Sequence, residues 1–211
     1  AGLQSTVFSL SNVVIQSSIN SFGSMVVAGN SASSNLEGFV YTAMNAFAQA
    51  AVTFTSQNIG ARKPRRVLTS MYVSLFWAFS FGVVFGVLSC VFGAQLLSLY
   101  STDPAVIQVG LNRMYIVCGP YFLCGIMDVM TGVLRGVGYS LLPMIVSLMG
   151  ACVFRIFWVM TVFAANRTMD CLMVSYPVSW TLTFFVLVGI FAVLWKKKIK
   201  PRYTPEELAA R

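Results

Sequence analysis

The feature that most limits what this chain can become is a row of six apolar runs: Leu3–Ala28, Phe39–Gly60, Leu68–Phe92, Val106–Leu134, Leu142–Ala165 and Leu172–Trp195. Each reaches the ~20 residues that carry a helix across a bilayer. In lipid every backbone N–H and C=O must be satisfied inside the segment, so such runs are helices. Barrel strands would be about half as long and would alternate. Only 9% of the residues are charged, against about 25% in a soluble domain. That is too few to cover a soluble surface, and the mean hydropathy of +0.78 agrees. The fold class is therefore all-α: a polytopic membrane protein, a six-transmembrane-helix bundle over residues 1–196 with a basic, polar, solvated tail over 197–211.

The net charge of +8 would suit a nucleic-acid binder if it formed one face. It does not. Arg62, Lys63, Arg65, Arg66, Arg135, Lys196, Lys197, Lys198, Lys200 and Arg202 sit in clusters between or after the apolar runs. This is the positive-inside pattern of a bilayer protein, and no nucleic-acid partner is expected. The loops after the second, fourth and sixth spans are read as cytoplasmic, and so are both ends of the chain. Asn30–Asn35 reads as an outer turn. Asp103 reads as an N-cap before Pro104. The start at Ala1-Gly2-Leu3, without methionine, reads as a fragment or a trimmed chain.

Function in such a chain is read from the polar groups that lipid penalises. The first span carries Ser5, Ser9, Asn12, Gln16 and Asn20, spaced three or four apart, and the second carries Tyr41, Asn45, Gln49, Thr53 and Gln57, each four apart. Each set is one helix face. The stripes are either interhelical glue or the lining of a wet cavity. The cavity reading assigns Asn12, Gln16, Asn20, Tyr41, Asn45, Gln49 and Tyr121 to a substrate site, with Trp158 as a further aromatic candidate. Asp128 is read as the one carboxylate deep in a span. It lies seven residues before Arg135, or ~10 Å inside. It must be protonated, paired or wet. It is either a proton or cation coupling site or half of an ion pair with Arg155 of the fifth span. Arg113 is expected to snorkel outward, and Glu37 and Asp170 to cap outer helix starts.

The chain has no histidine. None of its five cysteines forms a C-x-x-C pair. No phosphate-binding loop, zinc-protease motif or nucleophile elbow is present. Neither enzyme chemistry nor a metal or organic cofactor is expected.

Four motifs resemble one family. Gln57-Asn-Ile-Gly-Ala61 with Lys63-Pro64 follows the second span. Thr102-Asp-Pro104 with Val106 opens the fourth. Gly132-Val-Leu-Arg-Gly136 with Gly138 and Pro143 closes it, and Arg155-Ile-Phe-Trp158 lies in the fifth. In this order they resemble the multidrug and toxic compound extrusion (MATE) family, over nearly all of Leu3 to Trp195. The resemblance implies two six-helix lobes around a cavity, with this chain as the C-terminal lobe and an N-terminal lobe as its missing partner. It implies secondary efflux of drugs, organic cations or small amphipathic substrates by proton- or sodium-coupled antiport, in the plasma (inner) membrane. Of the family's acidic coupling positions, that on the tenth helix matches Asp128. That on the seventh has no counterpart, because Leu3–Ala28 holds no acid. A lipid-linked saccharide flippase of the same superfamily, or a passive channel or structural membrane subunit, are the alternatives.

Overall fold

The computed structural model describes the backbone of Gly2–Ala209 and the side chains of Ser11–Leu208. Among the described residues all regular structure is helical. The chain forms α1 (Gly2–Asn20), α2 (Ser24–Gly60), α3 (Pro64–Val91), a short α4 (Gly93–Ser98), α5 (Pro104–Val117) and α6 (Phe122–Gly136). It continues with α7 (Leu141–Phe163), α8 (Met169–Leu194) and a terminal α9 (Pro205–Ala209). The α7 helix contains two π turns, Met149–Val153 and Val159–Phe163. Asp103 caps α5 by accepting from the Ala105 N–H at 2.9 Å, with Pro104 as first helical residue.

The centre of the bundle is α6, which packs against α2, α3 and α8. Ten of its 15 residues are buried, so it faces protein almost all round. Glycine makes this possible. Gly125, Gly132 and Gly136 share one face. A Cβ on Gly132 would lie 2.5 Å from the Ala48 carbonyl oxygen, and one on Gly136 2.7 Å from that of Val52. The backbones of α2 and α6 therefore touch, the small-residue packing that joins helices where lipid offers no hydrophobic drive.

The expected unbroken span Val106–Leu134 is in fact a bent pair, α5 and α6, meeting at 47°. The break falls at Gly119-Pro120, where proline lacks the N–H that would continue the ladder. Gly82 and Gly86 of α3 lie against this bend, within 2.6 Å of the Phe122 Cα and the Cys118 carbonyl oxygen for an added Cβ.

The first boundary also moves. The chain breaks at Ser21–Gly23, where Gly23 takes φ +94°, a conformation only glycine adopts easily. The expected turn Asn30–Asn35 lies inside α2. Its polar residues mark a buried junction: Asn30 and Ser33 are buried where α2 meets α5. Among the described residues, Pro64–Val91, Leu141–Phe163 and Met169–Arg202 are long and apolar enough to cross a membrane, and the bent pair passes the same test when its two helices are taken together. The polar stripes keep α1 and α2 out of that set.

The tail is ordered where a solvated tail was expected. Helical turns run on from Trp195 to Arg202, and α9 follows. Arg62, at φ +54° in the α2–α3 turn, clasps Glu207 of α9 through Nε and Nη2. Glu207 also accepts from the Thr204 N–H at 2.9 Å, while the Thr204 hydroxyl accepts from the Glu207 N–H at 3.3 Å, a capping box. The Arg62 guanidinium holds the Glu207 carboxyl at about 2, well below its ordinary 4.5.

The α2–α6 seam is testable. Gly132→Ala forces a methyl onto backbone and is expected to cost about 1–3 kcal/mol. Gly189→Ala, in α8, meets nothing within 4 Å and serves as the control. The midpoint of thermal unfolding in detergent should fall for the first variant only. Equal behaviour would remove the seam from its central place.

Candidate functional site: a polar cleft

The seam settles where the polar residues of α2 go. Met44 and Ala48 are buried in it. Tyr41, Asn45 and Gln49 lie beside them on the helix and stay accessible. They form one wall of a cleft of about 600 Å³. Asn12 enters it from α1, Arg113 from α5, Tyr121 from the bend, and Asp128, Thr131 and Arg135 from α6. The far wall is Ser147 and Arg155 of α7 with Tyr176 and Trp180 of α8.

Of the residues assigned to the site from sequence, Asn12, Tyr41, Asn45, Gln49, Tyr121, Asp128 and Arg155 converge on this cleft. Gln16 and Asn20 do not. They are exposed on α1, and the Gln16 amide donates to the Asn20 side-chain oxygen at 3.0 Å. The buried row of α1 is Ser11, Ile15 and Ile19, so Gln16 and Asn20 face away from the bundle. Ser5 and Ser9, the start of that stripe, lie outside the residues whose side chains are described. Trp158 is also outside the cleft, its indole donating to the Cys171 carbonyl at 2.9 Å.

The charges differ from expectation at three points. Arg113 does not snorkel: it is buried, donates to Ser33 Oγ at 2.9 Å and pairs with Glu37 Oε2 at 2.6 Å. Glu37 is accordingly a partner in mid-helix and not a cap, because α2 begins more than three turns earlier. The Asp128–Arg155 ion pair, the alternative to a coupling site, is not formed among the described residues. Arg155 donates through Nε to Ser179 Oγ at 3.1 Å and lies over the Tyr176 ring, 4.1 Å from its centroid. The π turns on either side of Phe154–Trp158 change the phase of the side chains between them, a device common at functional sites.

Among the described residues Asp128 is left without an ion pair. The polar contact it makes is with Cys124 Sγ, at 4.0 Å. Arg113 Nε and Thr131 Oγ1 in the same walls are buried without a partner among the described residues.

Tyr176, Trp180 and Ser147 were not identified from sequence. A signal existed: Ser175, Ser179 and Thr183 fall four apart in the last apolar run and are all buried. A polar row in an apolar helix marks its inner face, and Tyr176 and Trp180 flank that row. The Tyr121 and Trp180 rings meet edge to face at 5.4 Å.

Chemically the cleft offers amides that donate and accept, aromatic faces, arginines and an unpaired carboxylate. Among the described residues no group of three His, Cys, Asp or Glu side chains could hold a metal. Such walls suit the binding of a polar or aromatic guest.

Comparison with known proteins agrees. The chain is 24% identical over 204 residues to the probable multidrug resistance protein YoeA of Bacillus subtilis, covering 94% of this chain and 43% of that protein. It is 29% identical over 108 residues to the FAD transporter of Shewanella oneidensis, covering 51% of this chain and 24% of the relative. The Vibrio cholerae MATE transporter VcmN in its bent form shares the fold, with a TM-score of 0.85 over 96% of this chain and 46% of that one, at 17% identity. The chain thus spans less than half the length of the relatives it matches. The family model MatE matches residues 1–161, and the chain belongs to that family of membrane transporters.

Proposed function

We propose that the chain forms one lobe of a secondary exporter of drugs, organic cations or small amphipathic molecules. The exporter works by alternating access around the cleft, and Asp128 exchanges the coupling ion, H⁺ or Na⁺. The observation that carries this reading is an unpaired carboxylate on the wall of an amide- and aromatic-lined cleft. A change of charge there biases which side of the cleft is open only if the carboxylate binds the ion differently in the two states. The other wall of the cavity comes from a second, N-terminal lobe.

The lobe sits in the plasma (inner) membrane with both its ends cytoplasmic. The Arg62 contact with Arg202 and Glu207 supports this, because it puts two of the basic clusters at one end of the bundle. Single cysteines at Arg65 and Thr102, treated in intact cells with an impermeant thiol reagent, should label only at Thr102. Labelling at Arg65 would invert the orientation.

Asp128→Asn keeps the shape and removes the charge change. In the full-length transporter it should retain dye binding but lose gradient-driven export by tenfold or more, the scale of removing a step worth about 1.4 kcal/mol. Since Arg155 is not its ion partner, adding Arg155→Gln should not restore export. Restored export would make the carboxylate structural and end the coupling assignment.

One observation favours a second reading of the substrate. Three arginines line the cleft with two carboxylates, and Glu37 already neutralises Arg113. The surplus positive charge suits an aromatic substrate bearing an acidic group, and one relative is named an FAD transporter. Vesicle uptake of a flavin dinucleotide and of a cationic dye separates the two. If the acidic class is right, Arg155→Gln should depress flavin uptake and spare the dye. The opposite pattern leaves the cation reading alone.

A further inference from the structure

The face of α2 away from the cleft carries a hollow of another kind. Phe47 follows Asn45 by two residues, which turns it by ~200° about the helix. A groove of about 480 Å³ runs there between α2 and α3, lined by Phe47, Phe54, Val73 and Trp77, with Arg66 at one end and Thr69 beside it. Phe54, Val73 and Trp77 are each half exposed or more. Phe47 is backed by Phe81 at 5.4 Å and Phe81 by Phe85 at 4.1 Å, an aromatic row that holds the Phe47 wall in place.

Length identifies what fits. Arg66 and Trp77 are eleven residues apart on α3, or ~16 Å. Half the hydrocarbon core of a bilayer is ~15 Å. The groove therefore runs from the headgroup level to the bilayer midplane, one leaflet deep and one acyl chain long.

Charge identifies the headgroup. Arg66 is exposed at the end of the bundle that holds Lys63 and the Lys196–Lys198 run. Of the carboxylates described at that end, Glu207 is taken by Arg62 and Glu206 lies on α9. A second protein lobe is the weaker occupant, since the polar walls that such a lobe would close over are on the opposite face.

The geometry points to this groove as a binding site for an anionic glycerophospholipid, with one acyl chain along Val73 and Trp77 and the phosphate on Arg66. The site goes beyond the transport reading and borrows from it only the orientation, which puts the headgroup in the cytoplasmic leaflet, where anionic lipids meet basic segments.

The test uses the full-length transporter with phosphatidylglycerol and phosphatidylcholine as probes, read by native mass spectrometry of the lipid retained. The unchanged protein should retain phosphatidylglycerol in preference. Arg66→Gln should lower its retention about tenfold, the effect of one lost charge-assisted hydrogen bond, and leave phosphatidylcholine unchanged. Val73→Trp, which fills the groove, should lower both. No preference in the unchanged protein, or no effect of Arg66→Gln, overturns the site. An effect of Arg66→Gln with none of Val73→Trp overturns it too, because the lipid then sits on the basic surface. A cysteine at Val73 that a lipid-soluble thiol reagent cannot reach shows the groove covered by protein, which likewise overturns the site. Transport is not read in any arm, so failure here leaves the exporter reading intact.

Discussion

Backbone contact between α2 and α6 governs the rest of the lobe. Inside a membrane, apolar side chains gain nothing by leaving lipid for one another, so helices join by close packing and by polar contacts. Gly132 and Gly136 remove the side chains that would hold α6 off Ala48 and Val52. Once the two backbones touch, the residues beside the seam splay to one side. On α2 these are Asn45 and Gln49; on α6 they are Asp128, Thr131 and Arg135. The carboxylate meets the amides because the glycines let it.

The two acids of the cleft are handled in opposite ways. Glu37 and Arg113 are largely withdrawn from solvent and paired with each other, with Ser33 accepting a further Arg113 N–H. Breaking such a buried pair from one side costs about 3–5 kcal/mol. That penalty ties α2 to α5, and it explains why a stretch as rich in Ser and Asn as Asn30–Asn35 stays helical. Asp128 has no such partner among the described residues. Arg155, its partner in the ion-pair alternative, is occupied by the Tyr176 ring and Ser179. A guanidinium over an aromatic face keeps its charge while being steered away from the carboxylate. The lobe thus separates a structural ion pair from a carboxylate left open to the cleft.

Much of this was legible in the sequence because period and composition report directly on burial in lipid. The apolar runs foretold the helices, and the four-residue spacing of Tyr41, Asn45 and Gln49 foretold a shared face. Asp103-Pro104 announced a helix start. What was not legible depends on contacts distant in sequence. Ser33 and Glu37 look like a loop and a cap until Arg113, 76 residues from Glu37, comes alongside. Gly119-Pro120 is a local break signal that a long apolar run obscured. The two amide stripes look alike in sequence, yet only that of α2 adjoins the seam. Rotation about the α1 axis is set by Ile15 and Ile19 entering the core, and no spacing rule distinguishes that from a turn of one residue.

That rotation has a physical consequence. Gln16 and Asn20 lie exposed on α1, and Tyr41 and Gln49 on α2. Amides in hydrocarbon, bonded only to each other, are costly. Lipid is therefore a costly medium against these polar faces, whereas it suits the side of Phe76, Trp77 and Phe85, which are exposed and, but for the Trp77 indole N–H, apolar. One lobe thus presents two surfaces with incompatible solvents. The only arrangement that satisfies both sets the polar side against water or another polar-lined body, with the aromatic side turned to the bilayer.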